Sequence, residues 1–188
     1  MGVGDEKTVH RAELLMKELN LKAEDRKVVK FAWQAALASQ QQKDKGHEGI
    51  YCGAAIELKD GRIVTGKNSP LMHASSALIL NAIKKLAEIP DNIHLLSPKI
   101  IESIGNLKRN IFNSHNLSLN LEETLIALSI SADFNPTAQV AMEKLKELQG
   151  CEIHLTHMPT PGDEAGLRRL GVNVTSDPQF STHSLFVI

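Results

Sequence analysis

At 188 residues, 42% hydrophobic and 23% charged, the chain is long and apolar enough for one compact domain, or one domain with a small appendage. Its formal net charge of −1 offers no basic footprint for nucleic acid, and no apolar run approaches the ~20 residues of a membrane span. Two cysteines, Cys52 and Cys151, lie far apart and outside any CxxC, which argues against a disulfide framework. Aromatic residues make up only 4%, so the core must be built from Leu, Ile, Val and Ala. The opening Met1-Gly-Val-Gly-Asp-Glu6 lacks the apolar segment of a secretory signal, and the expected compartment is a reducing cytoplasm.

In chain order, a helix is predicted from Asp5 to Leu19, capped by Asp5 or Thr8, with Val9, Ala12, Leu15, Met16 and Leu19 on one stripe. A second starts near Ala23-Glu24-Asp25, where acidic residues suit the positive end of the helix dipole, and carries Val28, Val29, Phe31, Ala32, Ala35 and Ala36. Gln40 to Gly46 reads as a polar helix end and linker. Residues 1–45 thus form an N-terminal helical segment ahead of an α/β core over 46–188. Ile50 to Leu58 is a strand whose Gly53-Ala54-Ala55 invites close packing. Asp60-Gly61 marks a hairpin, and Ile63 to Thr65 is the return strand.

A helix then opens at His73 or Ser75 and bears Leu78, Leu80, Ile83 and Leu86. Ile93 to Leu96 reads as a short buried strand, followed by a Ser97 cap, Pro98 at the first helical position, and a helix with Ile100, Ile101, Ile104 and Leu107. Asn120 caps the next helix, with Glu122 and Glu123 in its first turn. Asn135 and Pro136 open another, which runs through Leu148 to a Gly150 stop. Cys151 to Thr156 is a strand, Thr160-Pro161-Gly162-Asp163 a turn, Glu164 to Leu170 a short helix, and Val172 to Val174 a last strand before an irregular tail to Ile188. The later strands each follow a helix, which predicts right-handed crossovers into parallel neighbours. The expected fold is a three-layer α/β/α sandwich with a mixed sheet, preceded by the helical segment.

Gly53-Ala54-Ala55, Asp60-Gly61, Thr65-Gly66-Lys67-Asn68, His73-Ala74-Ser75 and Ser97-Pro98 together resemble the core of the zinc-dependent cytidine deaminases. In that family one helix opens with His or Cys, Ala, Glu and a second with Pro-Cys-x-x-Cys, giving three zinc ligands and a carboxylate that moves protons. Here His73 matches the first ligand, Ser75 stands at the carboxylate position, and Lys99 and Glu102 at the thiolate positions. Asn68 matches a sugar-contacting position, with Pro70 where a Glu usually follows. The resemblance therefore implies a scaffold without its metal: no zinc, and no cofactor.

A second resemblance covers nearly the whole chain. The runs Ala12 to Val28, Ser75 to Ile83, Ile93 to Pro98, Leu121 to Ile130 and Asn135 to Leu145 are similar to the C-terminal part of a bacterial family of unknown function. Its full-length members are much longer, and some carry an unsupported label of ATP-dependent peptidase. No GxxxxGK[ST] segment occurs here, and His47-Glu48 is followed by Tyr51 where a zincin motif needs His. That resemblance implies an N-terminal partner region beyond this chain and supplies no reaction.

What remains is a candidate anion or ligand site. If the two helix starts lie side by side, Asn68, His73, Ser75, Ser76, Ser97 and Lys99 form a small polar pocket for phosphate or carboxylate, because free backbone N–H groups there favour anions. Capping alone also accounts for serines at those positions. His154, Thr156 and His157 show no recognised metal-ligand spacing. The functional expectation is a non-catalytic ligand-binding or assembly module. The alternative is an enzyme acting on a small anionic or nucleotide-like substrate near His73 and Lys99. The expected partners are a small anionic ligand, a second copy of the chain, and the N-terminal region of the longer family members.

Overall fold

A computed structural model describes residues 5–182. The first four residues and the last six of the predicted tail lie outside the described residues. Among the described residues, seven α-helices and four strands follow in order: α1 (Glu6–Glu18), α2 (Lys27–Gln40), β1 (Gly53–Glu57), β2 (Ile63–Lys67), α3 (Ala74–Leu86), α4 (Pro98–Asn110), α5 (Leu121–Ala132), α6 (Pro136–Glu143), β3 (Glu152–Leu155), α7 (Pro161–Leu170) and β4 (Asn173–Ser176). Short 3₁₀ turns at Ala23–Asp25 and Lys144–Leu148 precede α2 and follow α6.

The strands form one mixed sheet in the order β2-β1-β3-β4. β1 runs antiparallel to both its neighbours, and β3 and β4 run parallel, joined through α7. The expected parallel pairing therefore holds for β3 and β4. It fails for β1 and β3, because the long connection through α3 to α6 returns the chain in the opposite direction.

Two glycines show that the sheet is covered on both faces. Ala54 pairs with Gly66, so the two share a face. A Cβ on Gly66 would lie 2.3 Å from the Leu78 nitrogen, inside α3. Gly53 is one position away and so faces the other side. There a Cβ would sit 2.2 Å from the Ala32 carbonyl oxygen of α2. The small residues expected to invite close packing do so, with helix backbone against strand backbone. The result is an α/β/α sandwich in which α2, placed by sequence in the helical segment, forms one outer layer.

The main core lies on the α3 side, where Ile56, Leu78, Ile79, Ile83, Leu121, Leu128, Leu148, Ile153 and Leu167 are fully buried. A smaller cluster of Val28, Ala32 and Ala55 closes the α2 side. Helix starts follow the sequence closely. Asn120 and Glu123 form a reciprocal capping box for α5, and the Asn135 side chain accepts from Thr137 and Ala138 at the start of α6.

Three expectations are corrected. Ile93–Leu96 is not a strand: Ile93 donates to the Pro90 carbonyl in a turn, and Leu95 and Leu96 fill the core from a loop. The run is as short as Glu152–Leu155 and, like it, has a single β-branched residue, so local strand propensity does not favour either. The place beside β1 goes to Glu152–Leu155. Next, Thr160–Asp163 is not a free turn but the capped first turn of α7, with Pro161 at its first position. Finally, the helix opened by Asn135 ends as α-helix at Glu143 and tightens to 3₁₀ before Gly150, whose φ of 78° stops it. Among the described residues no helix is long and apolar enough to cross a membrane.

Candidate functional site

The start of α3 meets two other helix starts, those of α5 and α7, at one buried carboxylate. Asp163 is the third residue of α7 and only 3% exposed. One carboxylate oxygen accepts from the Ser75 hydroxyl at 2.6 Å and from the Leu121 backbone N–H at 2.9 Å. The other lies 2.7 Å from His73 Nδ1, and accepts from the Thr160 hydroxyl at 2.7 Å and the Thr160 backbone N–H at 3.3 Å. Five donors therefore use the roughly four lone-pair sites a carboxylate offers. Leu121 is the first residue of α5, and His73 and Ser75 bracket the first turn of α3. The positive ends of three helix dipoles thus point at the same charge. Burial works against that charge, but the hydrogen bonds from His73, Ser75 and Thr160 and the His73 charge outweigh it, so the Asp163 carboxyl is held below the usual carboxylate range. Cys52 belongs to the same neighbourhood: burial and then the Asp163 charge push its thiol up to about 12. It is inert at neutral pH.

The other residues named from sequence go elsewhere. Asn68 is buried and spends its amide on the backbone, accepting from Cys52 N–H at 2.8 Å and donating to the Ile50 carbonyl at 3.0 Å. Ser76 donates to the Leu119 carbonyl at 3.0 Å. Ser97 caps α4 without a side-chain bond, its N–H donating to the Ser131 hydroxyl, and Lys99 is exposed on the first turn of that helix. Asp163 was missed. The signal was present: Thr160-x-x-Asp163 with Pro161 is a capping-box pattern that marks a helix start.

Two further polar regions lie elsewhere among the described residues. On the α2 face, His154 Nδ1 lies 2.9 Å from the Thr175 hydroxyl. Its Nε2 comes within 3.2 Å of Asp177 without hydrogen-bond alignment. Asp177 also accepts from the Trp33 indole at 2.8 Å, and Arg26 bonds both Thr175 and Glu152. Burial lowers the pKa of His154 and His157, with Asp177 opposing it. This cluster ties α2 to β3 and β4. No group of three or more His, Cys, Asp or Glu side chains among the described residues could hold a metal ion.

The second region is an open cleft of about 500 Å³ between β2, α3 and the 91–96 loop. Leu71, Met72, Leu80, Leu95, Leu96 and Ile101 supply its apolar lining, and Lys45, Lys67, Lys84, Thr65, Asn81 and His94 its polar one. Against three lysines there is one carboxylate, Asp91. Lys84 is largely buried and donates to the Asp91 carbonyl at 2.7 Å, and burial lowers its pKa.

Residues 24–186 match the family described as "Domain of unknown function DUF1846, C-terminal". The chain belongs to that family. The DUF1846 C-terminal chain is also similar to curated proteins whose names begin "UPF0371 protein". It is 46% identical over 185 residues to that of Clostridium tetani (strain Massachusetts / E88), and 49% to that of Clostridium botulinum (strain Eklund 17B / Type B). Each match covers 98% of this chain and 36% of the relative, so the DUF1846 chain spans little more than a third of the length of these proteins.

Proposed function

We propose that this chain is a ligand-binding module that takes a small anionic molecule in the cleft between β2, α3 and the 91–96 loop. The observation that carries this reading is the charge of that cleft: Lys45, Lys67 and Lys84 line it over an apolar floor with one carboxylate, Asp91, among the lining residues, and Asp44 pairs with Lys45 at 3.3 Å at its edge. A volume of about 500 Å³ falls within the range of small-molecule sites. The Asp163 centre supports the non-catalytic part of the reading, because its carboxylate is fully spent on the fold.

The deaminase resemblance fits this reading as a scaffold. The helix start beside His73 is that of α7, so the positions of Pro-Cys-x-x-Cys correspond to Pro161, Gly162 and Ala165 rather than to the α4 start. Neither Gly162 nor Ala165 can ligate zinc, and Ser75 at the carboxylate position donates to Asp163. The residues do not fit that metal, and deaminase chemistry is not proposed.

The test is thermal unfolding with a panel of inorganic phosphate, AMP, ATP and citrate. A ligand that binds the folded state stabilises it by about 2.7 kcal/mol at a hundredfold excess over Kd, and so raises Tm with concentration. Lys45→Ala with Lys67→Ala should remove the shift while leaving the unliganded Tm within a few degrees, since both lysines are partly exposed. No shift with any probe at millimolar concentration would sink the reading. One contact favours an enzyme instead: Asp163 holds the His73 ring through Nδ1, and in the neutral tautomer that donates there Nε2 is left with its lone pair free. That alternative requires a His73→Gln variant to bind the same probe unchanged while losing turnover.

A further inference from the structure

Helix α1 buries none of its 13 residues. Its stripe is nevertheless that of a packed helix. Val9, Leu15, Met16 and Leu19 share one side at 49%, 50%, 39% and 63% exposure, with Glu13, Lys17, Glu18 and a single further leucine, Leu14, on the other. A helix of this length is marginal in water without a partner, because nucleation is costly and most helical stability comes from packing. A surface that covers the stripe would supply that packing. The matched domain starts at residue 24 and so leaves α1 out. The Clostridium relatives align over 185 of the 188 residues, so they contain α1, yet nearly two thirds of their length lies outside the match. The matched domain is described as C-terminal, which puts that remainder on the α1 side.

We propose that α1 is a docking element for the N-terminal region of the longer family proteins, with Val9, Leu15, Met16 and Leu19 completing an apolar core in that region. The occupant is an apolar surface rimmed by mixed charge, matching the balanced polar face of α1. The segment between α1 and α2 is then the join between two packing units rather than a loop within one.

The experiment compares amide hydrogen exchange in this chain and in the full-length Clostridium tetani relative, at micromolar concentration. Amides of α1 should exchange at least a hundredfold more slowly in the long protein, while those of β1 and β3 remain protected in both. Equal, fast exchange of α1 in both proteins would overturn the proposal. So would slow exchange in the short chain that disappears on dilution together with a dimer seen by light scattering, because the occupant would then be a second copy. Leu15→Asp with Leu19→Asp gives an independent reading. In the 188-residue chain it should shift Tm by less than 2 °C, and in the long protein it should lower Tm by several degrees. An equal shift in both would count against the docking role.

Discussion

Replacing Asp163 by Asn is the sharpest test of how this fold is held together. The substitution keeps size and shape but removes the charge and turns one acceptor atom into a donor. Three helix starts then lose their common anion. The new amide N–H₂ must face either the Ser75 hydroxyl and Leu121 N–H, or His73 and the two Thr160 donors. Hydrogen bonds to a charged group contribute about 1.5–3 kcal/mol each, and unsatisfied buried donors cost about 1–3 kcal/mol. At least two of the five donors lose a good acceptor, so a loss of about 3–5 kcal/mol is expected, the range seen when one partner of a buried ion pair is removed. In a protein of this size that corresponds to a fall in Tm of roughly 10 °C. Urea denaturation followed by circular dichroism measures it directly. A pH series adds a signature that lost packing would not give. The folded pKa of Asp163 is lowered from 3.8, so its contribution is complete above pH 4 and is lost as pH falls through the folded value. The parent protein should therefore lose stability more steeply below pH 4 than the Asn variant. A cost below about 1 kcal/mol, with identical acid limbs, would refute the view that Asp163 locks the three helices.

Gly66→Ala and Gly53→Ala should each cost about 2 kcal/mol or more in urea unfolding, because the added methyl meets helix backbone at 2.3 and 2.2 Å and neither partner can rotate away. Gly105→Ala, with open space around it, should be neutral or stabilising in the same assay. Stability should rise with pH up to about 6.5, since burial depresses His154 and His157 below that value and the unfolded chain binds the extra protons. Urea midpoints at pH 5.5 and 7.5 measure the slope, and His154→Asn should reduce it. A thiol reagent at pH 8 should modify neither Cys52 nor Cys151 until the chain unfolds, because both are buried with raised pKa values.

Much of the fold was legible because its signals are local. Asp60-Gly61 fixed the hairpin, Asn120 with Glu123 and Asn135 with Pro136 fixed two helix starts, and Gly150 fixed a stop. Each of these devices works within four residues. Strand choice is not local. Ile93-His-Leu-Leu96 and Glu152-Ile-His-Leu155 are both short apolar runs, and sequence offers no way to say which one lies beside β1. The structure gives that place to the second run, whose Ile153 pairs with Ile56 and whose His154 pairs with Ala55. The first run remains in a loop, where its leucines fill core volume without a ladder.

That one exchange moved the whole site. The sequence paired His73 with whichever helix followed the third strand. With Ile93–Leu96 in that role the partner was α4, and Lys99 became the expected anion contact. Glu152–Leu155 holds the role instead, so the partner is α7, and its third residue is a carboxylate. The physical reasoning about helix starts survives the move. Free N–H groups at converging N-termini do gather a negative charge, and here Asp163 supplies it from within the chain. A site filled in this way needs no further anion, and the proposed anionic ligand is assigned instead to the lysines lining the cleft beyond Met72. Binding at the cleft and integrity of the lock should therefore be separable. Lys45→Ala with Lys67→Ala should abolish ligand-induced stabilisation at full unliganded stability. Asp163→Asn should lower unliganded stability, yet retain the ligand shift in whatever fraction remains folded. Loss of both properties in either variant would show that cleft and lock are one site.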